Sequence, residues 1–382
     1  MSEESRRMVT ALEMTGDFRV LTRFQPRKQF LAFEGEKERA GAKLAMFLEC
    51  KTLGTNPAQG KVLELGYVMA WFNPKTGTVY EVESEYAGFE DPGFALPNKF
   101  KAVSGMDDAD VEGKAFDDSC IAEDLGRAVI VVSHEGSGAR PMLEKRFPVL
   151  ADKWFMCSTR EIDWRIHGLQ AKQLDYVAFT MCGVYYTVRR SLFEAQVLAE
   201  VLSRSAADGV PILKSLMERS KRVAWRVWAK DSPLEARMLL EARGYKWSDG
   251  SDPLRPIEAW WRATEALDEE LEFLSTKVYD SEVTIPVEKV TGRERYSGRR
   301  GAVEGVKITP SKGVAEEPNI GAAQGSTTRE PAPRQQGAPV RAPGVQDAVQ
   351  ERQPVQQAGG AQRGRRPVQE QAKSFAVDDF PI

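Results

Sequence analysis

The sequence of 382 residues predicts an α/β fold, followed by a small α+β domain and a disordered C-terminal tail. Hydrophobic residues make up 42% of the chain, which is enough for a core but slightly low, as expected if one segment contributes no core. From residue 43 to about residue 205, apolar runs with strand and helix periodicity alternate. The composition then changes sharply near residue 300, and none of the eight tryptophans lies beyond Trp261.

The first predicted domain covers residues 43–205. A continuous apolar run at 43–50 is typical of a buried strand. Residues 61–72 and 78–86 alternate as paired strands, and residues 73–77 supply the turn between them. The remaining predicted elements are buried strands at 128–134 and 154–158 and helices at 139–147, 169–183 and 190–203. Three antiparallel strands followed by a β-α-β unit and further helices describe an α/β layer fold of the ribonuclease H type.

A second, small α+β domain is predicted for residues 206–300, and residues 1–42 are expected to be an N-terminal extension that packs on the first domain. Ser232-Pro-Leu-Glu235 supplies an N-cap, a proline at the first helical position and an acid at the third. A helix is therefore expected to begin there and to end at Gly244. The other predicted elements are a strand at 223–229, a hairpin formed by YKWSDG and IEAWWRA, and a helix at about 265–279.

Residues 301–374 are expected to be a disordered linker. They consist mostly of Gln, Pro, Gly, Ala and Arg, and such a segment cannot bury enough apolar surface to offset its ordering entropy. The tip at 375–382 differs, because Phe375 and Phe380, the two aromatic residues beyond residue 300, lie there on either side of two acids. An acidic, apolar tip on a long tether has the form of a peptide ligand for a pocket elsewhere.

Composition also excludes several classes of protein. A formal net charge of −3 excludes a generic basic binder, so any contact with nucleic acid must come from local patches. Cys50, Cys120, Cys157 and Cys182 lack CxxC spacing, which excludes a zinc ribbon and suggests a reducing cytosol. The chain has no apolar run long enough for a membrane helix, and its charged N-terminus lacks the apolar region of a secretory signal. We therefore expect a cytoplasmic protein without a membrane partner.

The segment FLECKTLGTNPAQGKVLELGYV resembles the first motif of the DnaQ-like (DEDDh) 3′–5′ exonucleases. Members of that family have a strand ending in Asp-x-Glu-Thr, a short Gly/Pro loop and a strand that carries Glu-hydrophobic-Gly. The residues that match this pattern are Thr52, Gly54, Pro57, Glu64, Leu65 and Gly66. Residues 131–144 resemble the second motif of the family, and residues 189–194 resemble the third. The resemblance covers roughly residues 10 to 300 and implies a ribonuclease H-like exonuclease fold.

An active member of that family needs two divalent cations held by four carboxylates, and a histidine that acts as general base toward the attacking water. The residues at those five positions in this chain are Glu49, Lys51, Ala139, Glu194 and Arg189. The Lys51 ammonium stands about where a cation would sit and would repel it. Arg189 stands in place of the base, and an arginine cannot accept a proton near neutral pH. We therefore expect an inactive exonuclease homologue without catalytic residues, metal or cofactor.

Two interpretations of these charged residues stay open. Glu49, Lys51, Arg189 and Glu194 could form a buried salt-bridge network that replaces the metals, because each buried charge needs a partner. Lys51 and Arg189 could instead still face a phosphate in the substrate groove, and the two interpretations are not exclusive. His134, at the end of its strand, is expected to be a structural histidine rather than a base.

Local patches of cations and aromatic residues are the candidate nucleic-acid interface. Fewer carboxylates and more cations make a substrate groove more favourable for phosphate. The second domain interleaves cations with tryptophans, which can stack unpaired bases without reading their sequence. At least half of these tryptophans are expected to form the core of the small domain. Strand alternation places Arg226 and Trp228 on one face, and these two residues and one of Trp260 and Trp261 are the better candidates for an exposed face. The candidate nucleic-acid-binding residues are Lys51, Arg189, Arg190, Arg226, Trp228, Lys230, Lys246, Trp261 and Arg262.

The C-terminal end resembles that of bacterial single-stranded-DNA-binding proteins. Their Gln/Pro/Gly-rich linker ends in a few acids, a hydrophobic residue and a proline, as in Asp-Asp-Asp-Ile-Pro-Phe. The corresponding candidate partner-binding residues here are Asp378, Asp379, Phe380, Pro381 and Ile382. The resemblance implies that basic pockets on replication or recombination proteins bind the acids and that an apolar slot binds the final side chain.

Three functional hypotheses follow from these observations. The first is a non-catalytic, sequence-independent single-stranded-DNA-binding protein of a bacterial or phage-infected cell, which recruits replication or recombination proteins through its tip. The second is a pseudo-nuclease that docks on a replication or repair complex. The third is a residual metal-dependent exonuclease that uses Glu49, Glu194 and a further acid such as Asp110. The sequence leaves open whether the chain forms a homo-oligomer.

Overall fold

The computed structural model describes residues 2–54, 59–252 and 254–311. The strands are β1 (Thr22–Arg23), β2 (Lys43–Leu53), β3 (Lys61–Phe72), β4 (Val79–Phe89), β5 (Ile130–Ser133), β6 (Trp154–Cys157), β7 (Val184–Tyr185), β8 (Ala224–Ala229), β9 (Lys246–Asp249), β10 (Glu258–Thr264), β11 (Val283–Val290) and β12 (Val303–Ile308). The α-helices are α1 (Glu3–Glu13), α2 (Glu36–Gly41), α3 (Asn98–Ser104), α4 (Asp108–Val111), α5 (Asp118–Arg127), α6 (Gly136–Arg146), α7 (Ser158–Glu161), α8 (Leu174–Cys182), α9 (Ser191–Leu202), α10 (Ile212–Ser220), α11 (Arg237–Arg243) and α12 (Leu267–Phe273).

The first sheet has the strand order β4-β3-β2-β5-β6. Strands β4, β3 and β2 are antiparallel, whereas β2, β5 and β6 are parallel, as the alternation of apolar residues predicts. The predicted turn between β3 and β4 is present, because the Asn73 side-chain oxygen accepts hydrogen bonds from the backbone N–H groups of Lys75 and Thr76. Gly77 completes this turn at φ +73°, a conformation that favours glycine. The described chain is therefore a mixed α/β protein.

Helices cover both faces of the first sheet. Side chains of β2 alternate between two cores: Phe47 packs with α8, α9 and α10, while Met46 and Leu48 pack with α5 and α6. Helix α9 approaches β3 very closely at Gly66, where an added Cβ would lie 2.0 Å from the Leu192 backbone nitrogen. This contact requires glycine, and it fixes the start of α9 beside β2 and β3.

The first core extends further along the chain than the sequence indicates. Ile212, Leu213 and Leu216 of α10 are fully buried in the core that contains α9. Val223, which follows α10, is largely buried in the same core. The domain boundary placed at residue 206 is therefore wrong, because the amphipathic helix that follows it packs on the first sheet. At the other end of the chain, β1 pairs in parallel with β7, and Phe24 is buried in the same core.

The second sheet is antiparallel and has the order β12-β11-β8-β10-β9. The predicted strand, hairpin and helices are present; α11 follows a short 3₁₀ turn and ends at Gly244, which has φ +95°. A π-helical turn, Leu274–Val278, continues α12. The linker start placed at residue 301 is wrong, because β12 pairs with β11 from Val303 to Ile308. The apolar alternation in β12 is short, and the polar composition of the following residues obscures it.

Residues 291–300, here called the return segment, connect β11 to β12 of the second sheet and contact α6 and β6 of the first domain on the way. Arg140 of α6 is fully buried, and its guanidinium donates hydrogen bonds to the carbonyl oxygens of Gly292 at 3.1 Å and Arg295 at 2.5 Å. Arg295 in turn forms an ion pair with the buried Glu161 at 2.9 Å. An added Cβ at Gly292 would lie 2.2 Å from the Trp154 indole nitrogen, so the segment lies directly on β6.

Among the helices of the described residues, none has the length and apolar composition needed to cross a membrane.

Candidate functional site

A group of charged side chains, here called the charge cluster, lies at the carboxyl end of β2. Its members are Glu49 and Lys51 of β2, Glu64 of β3, Arg190 just before α9, and Glu194 of α9. Sheet register places Lys51 opposite Glu64 on β3 and Glu49 opposite Gly66. The close approach of α9 to Gly66 then brings Glu194, in the first turn of that helix, to the same place. Residues far apart in the sequence thus converge because of one antiparallel pair and one glycine contact.

Lys51 and Glu194 form a direct ion pair, in which the Lys51 ammonium donates a hydrogen bond to Glu194 Oε2. A divalent cation bound by the Glu194 carboxylate would have to displace this ammonium or sit beside it. Ala139 is the third of the five positions at which the resemblance implies catalytic residues. It is mostly buried, and its methyl side chain offers no ligand atom. No group of three Asp, Glu, His or Cys side chains in residues 2–54, 59–252 and 254–311 is arranged to hold a metal ion. The residues present therefore do not fit the two-metal site that the resemblance implies.

Glu49 is buried below the ion pair. Its Oε1 accepts a hydrogen bond from the His134 backbone N–H at 2.5 Å. Burial raises the pKa of Glu49 to about 8, and the nearby Glu194 carboxylate acts in the same direction, although the hydrogen bond from His134 and the charge of Lys51 oppose them. Burial consequently favours the protonated form of the Glu49 carboxyl.

Glu64 is a member of the cluster that the sequence analysis used only as part of a motif. It is buried, and its Oε1 accepts a hydrogen bond from the Ser191 backbone N–H at 2.7 Å, so it holds the N-terminus of α9. Burial raises its pKa. Arg190 lies 3.9 Å from Glu64 Oε2 and forms a closer ion pair with Asp110 at 3.1 Å. An acid within the otherwise apolar run of β3 was the signal that could have identified Glu64.

His134 has the structural role expected for it. The ring is buried, with Nδ1 2.7 Å from Ser158 Oγ and Nε2 2.5 Å from the Lys172 carbonyl oxygen. Burial lowers the pKa of His134 to about 4, so the ring is neutral at physiological pH.

Arg189 lies outside the charge cluster. Its side chain is 61% exposed, and it forms an ion pair with Asp175 of α8 at 3.3 Å. The predicted four-residue network is therefore wrong in its composition: Lys51 pairs with Glu194, while Arg189 points to the surface beside α8. The reason is the chain direction before α9, which buries Ser191 and leaves the two preceding residues at the edge.

The exposed face expected for β8 is not exposed. Trp228 has no accessible surface, and its ring packs 6.1 Å from that of Trp261. Arg226 donates hydrogen bonds to Glu288 at 2.6 Å and to the Leu254 carbonyl oxygen at 3.2 Å. The alternation along β8 is correct, but the segment around Leu254 covers the face that alternation alone leaves to solvent.

The other candidate residues of the second sheet are divided between internal contacts and solvent. Arg262 forms an ion pair with the buried Glu270 at 2.6 Å, and Trp261 lies under the guanidinium of Arg255 at 5.2 Å. Lys230 and Lys246 remain exposed. Trp247, which the sequence analysis did not select, is 53% exposed and borders a cavity of about 630 Å³. The partner-binding candidates Asp378, Asp379, Phe380, Pro381 and Ile382 lie outside the described residues.

Comparisons with known proteins give only distant similarities. No protein-family model matches the chain, and no curated protein is significantly similar to it. Among solved structures, it is similar to a 3′-exonuclease that recognises the 3′ end of the histone mRNA stem-loop, with 12% identity and a TM-score of 0.34 over 45% of this chain and 84% of that one.

It is also similar to exonuclease I, with 11% identity and a TM-score of 0.33 over 49% of this chain and 48% of that one. For exonuclease I bound to product, the identity is 10% and the TM-score is 0.33, over 48% of this chain and 51% of that one. The chain thus spans about half the length of the exonuclease I chains. Similarity at this level does not establish the family or the activity of the chain.

Proposed function

We propose that this chain is a non-catalytic single-stranded-DNA-binding protein built on an exonuclease-like α/β fold. The observation that carries the proposal is the ion pair between Lys51 and Glu194 at the carboxyl end of β2. An ammonium at this point takes the place of the cations on which two-metal hydrolysis depends. It also offsets carboxylate charge, so a DNA phosphate can approach without metal ions to screen it.

The charge balance of the cluster supports DNA binding in the same way. The cations Lys51 and Arg190 form ion pairs with Glu194 and Asp110, and burial favours the neutral forms of Glu49 and Glu64. The cluster as a whole is therefore close to neutral, unlike a set of four ionised carboxylates. Arg189, exposed beside it, adds a cation at the surface.

The proposal includes recruitment of replication or recombination proteins through residues 375–382. Asp378 and Asp379 would bind a basic pocket, and the Ile382 side chain would occupy an apolar slot. Deletion of residues 375–382 should leave DNA affinity unchanged or slightly higher and abolish capture of the partner. Loss of DNA binding on this deletion would contradict the assignment of the tip to partner binding.

The deciding experiment is fluorescence anisotropy of labelled oligo-dT titrated with the full chain, once with Mg²⁺ and once with EDTA. The oligonucleotide is afterwards examined on a gel. We expect salt-dependent binding at micromolar concentration or tighter under both conditions, with intact DNA. DNA shortened only in Mg²⁺ would identify a surviving exonuclease, and absence of binding would favour a protein-docking module.

A further inference from the structure

A cavity of about 480 Å³ lies beside the charge cluster, between α8 and β7. Tyr176, Phe179, Tyr185 and Tyr186 line it and are here called the aromatic surface. The volume is in the range of sites that bind small organic ligands, and a nucleotide is of that size. None of these residues was selected from the sequence, although all four lie within residues 176–186, because the apolar run there predicts a helix and not an exposed surface.

Two rings of the aromatic surface face solvent and two support them. Tyr176 is 37% exposed and Tyr185 is 46% exposed. Phe179 lies nearly parallel to Tyr176, with ring centroids 6.1 Å apart and an angle of 17° between planes. Tyr186 packs against Phe193 of α9, and burial raises the pKa of its hydroxyl. Tyr186 therefore joins the aromatic surface to the core, while Tyr176 and Tyr185 are accessible to a flat ligand.

Arginines surround the aromatic surface. The Arg19 guanidinium lies 5.1 Å above the Phe179 ring and donates hydrogen bonds to the carbonyl oxygens of Phe179 at 3.1 Å and Thr180 at 2.6 Å. Arg23 of β1 is exposed and in register with Tyr185. In residues 2–54, 59–252 and 254–311, neither Arg19 nor Arg23 has an ion-pair partner within 4.0 Å.

A third arginine, Arg189, also lies near the aromatic surface, but it is paired. Arg189 stands on the side toward the charge cluster, where Asp175 is its partner. Asp175 is the one acid among the residues that line the cavity. Arg19 and Arg23, which have no ion-pair partner within 4.0 Å in the described part of the chain, favour an anionic ligand, and the exposed rings favour a planar one.

We propose that the aromatic surface binds unpaired nucleotides of single-stranded DNA, with bases stacked on Tyr176 and Tyr185 and phosphates near Arg19, Arg23 and Arg189. The proposal rests on the proposed function and gives the binding surface for it. Stacked aromatic rings beside arginines bind single strands without reading their sequence. The strand would then lie next to the charge cluster, because Tyr186 borders the cavity and packs against Phe193, the residue before Glu194 in α9.

The test compares four forms of the full chain by oligo-dT anisotropy at two salt concentrations. These are the wild type, the double variant Tyr176→Ala/Tyr185→Ala, the double variant Tyr176→Phe/Tyr185→Phe, and Trp247→Ala on the second sheet. We expect the alanine pair to weaken binding by about tenfold or more, since each base stacked on a ring contributes measurably. The phenylalanine pair keeps both rings and should bind within about twofold of the wild type, as should Trp247→Ala.

Wild-type affinity in the alanine pair would overturn this proposal and leave the proposed function standing. Loss of affinity in Trp247→Ala alone would move the surface to the second sheet and also overturn it. Failure of the wild type itself to bind oligo-dT would overturn the proposed function and this inference together. Thermal melting of each variant identifies one that does not fold, and in that case the cross-linking measurement described next decides.

A second measurement does not depend on variants. Oligo-dT carrying 5-iodouracil is irradiated in complex with the full chain, and the cross-linked peptides are identified by mass spectrometry. We expect cross-links at Tyr176 or Tyr185. Cross-links confined to residues 246–262 would contradict the proposal.

Discussion

Arginines and aromatic rings are neighbours in two regions of this molecule, the second sheet and the aromatic surface. The arginines of the two regions differ in the groups that they contact. In the second sheet, Arg226 and Arg262 each form an ion pair at 2.6 Å with a buried glutamate. At the aromatic surface, Arg19 donates only to backbone carbonyls, which carry no net charge to offset its own. The comparison teaches that a ligand surface is identified by charge left without compensation, and not by the density of charge in the sequence.

The largest expected effect is on the stability of the second sheet, where the arginines pair with buried glutamates. Glu270→Gln removes the charge that both Arg243 and Arg262 contact, and leaves two guanidinium groups without their buried partner. We expect a loss of about 3–5 kcal/mol in the free energy of unfolding, measured by urea denaturation. Glu272→Gln, an exposed acid on the same helix, is the matched control and should change stability by less than about 0.5 kcal/mol. Equal effects in both variants would mean that the second sheet does not depend on charge compensation.

The pH dependence of stability sharpens the comparison at the charge cluster. Because the folded-state pKa of Glu49, about 8, lies above the ordinary value of 4.5, the protonated carboxyl favours the folded state. Its contribution is complete below about pH 4.5 and is lost as the pH rises toward 8. Relative to Glu49→Gln, the wild type should therefore lose stability on the order of 3 kcal/mol between pH 5 and pH 8.

Urea unfolding at pH 5, 6.5 and 8 measures this difference. Glu123→Gln is the control, because Glu123 is an exposed acid of α5. It should retain the pH dependence of the wild type. A parallel pH dependence for the wild type and Glu49→Gln would show that Glu49 is ionised in the folded protein.

The Lys51–Glu194 ion pair is expected to have a smaller effect. Lys51→Met leaves the half-buried Glu194 carboxylate without its cation and should destabilise the protein by about 2 kcal/mol. Adding Glu194→Gln should restore at least half of that loss, because the stranded charge is removed. A double-mutant cycle measures the coupling, and strictly additive effects would mean that the two side chains do not interact in solution.

The smallest expected effect is on DNA affinity at the aromatic surface, where Arg19 and Arg23 have no ion-pair partner among the residues that the structure describes. Arg23→Ala should leave stability within about 0.5 kcal/mol and weaken oligo-dT binding by about two- to fivefold. The slope of log affinity against log salt should fall by about 0.7, as expected for one lost phosphate contact on a single strand. Arg237→Ala is the matched control, because Arg237 is an exposed arginine that already pairs with Glu241 at 3.0 Å. An equal change in both variants would remove the distinction between the two regions.

Apolar periodicity predicted most of the fold. It identified the five strands of the first sheet and their directions, together with the hairpin β9–β10. Periodicity did not predict an element or its packing where the pattern is short or where the packing partner is distant in sequence. Strand β12 is six residues long within a polar context, and α10 joins the first core although it follows a loop.

The candidate site was predictable to a smaller extent. The motif resemblance led to Lys51 and Glu194, which the fold brings together over 143 positions of sequence. It did not lead to the aromatic surface, where Arg19 reaches carbonyls 160 positions away. Nor could alternation along β8 show that Trp228 is covered, since the covering residues belong to another segment. Local patterns give the direction of a side chain, but only long-range packing decides whether it meets solvent.

The contact between Arg140 and the return segment has a consequence for synthesis of the protein on the ribosome. The guanidinium of Arg140 finds its carbonyl partner on Gly292 only after a further 152 residues have been translated. At about 5–20 residues per second, this interval lasts roughly 8 to 30 seconds. During that time the nascent first sheet holds an arginine that cannot be buried with its final partners. We expect the two sheets to reach their native state together, late in translation, rather than one after the other.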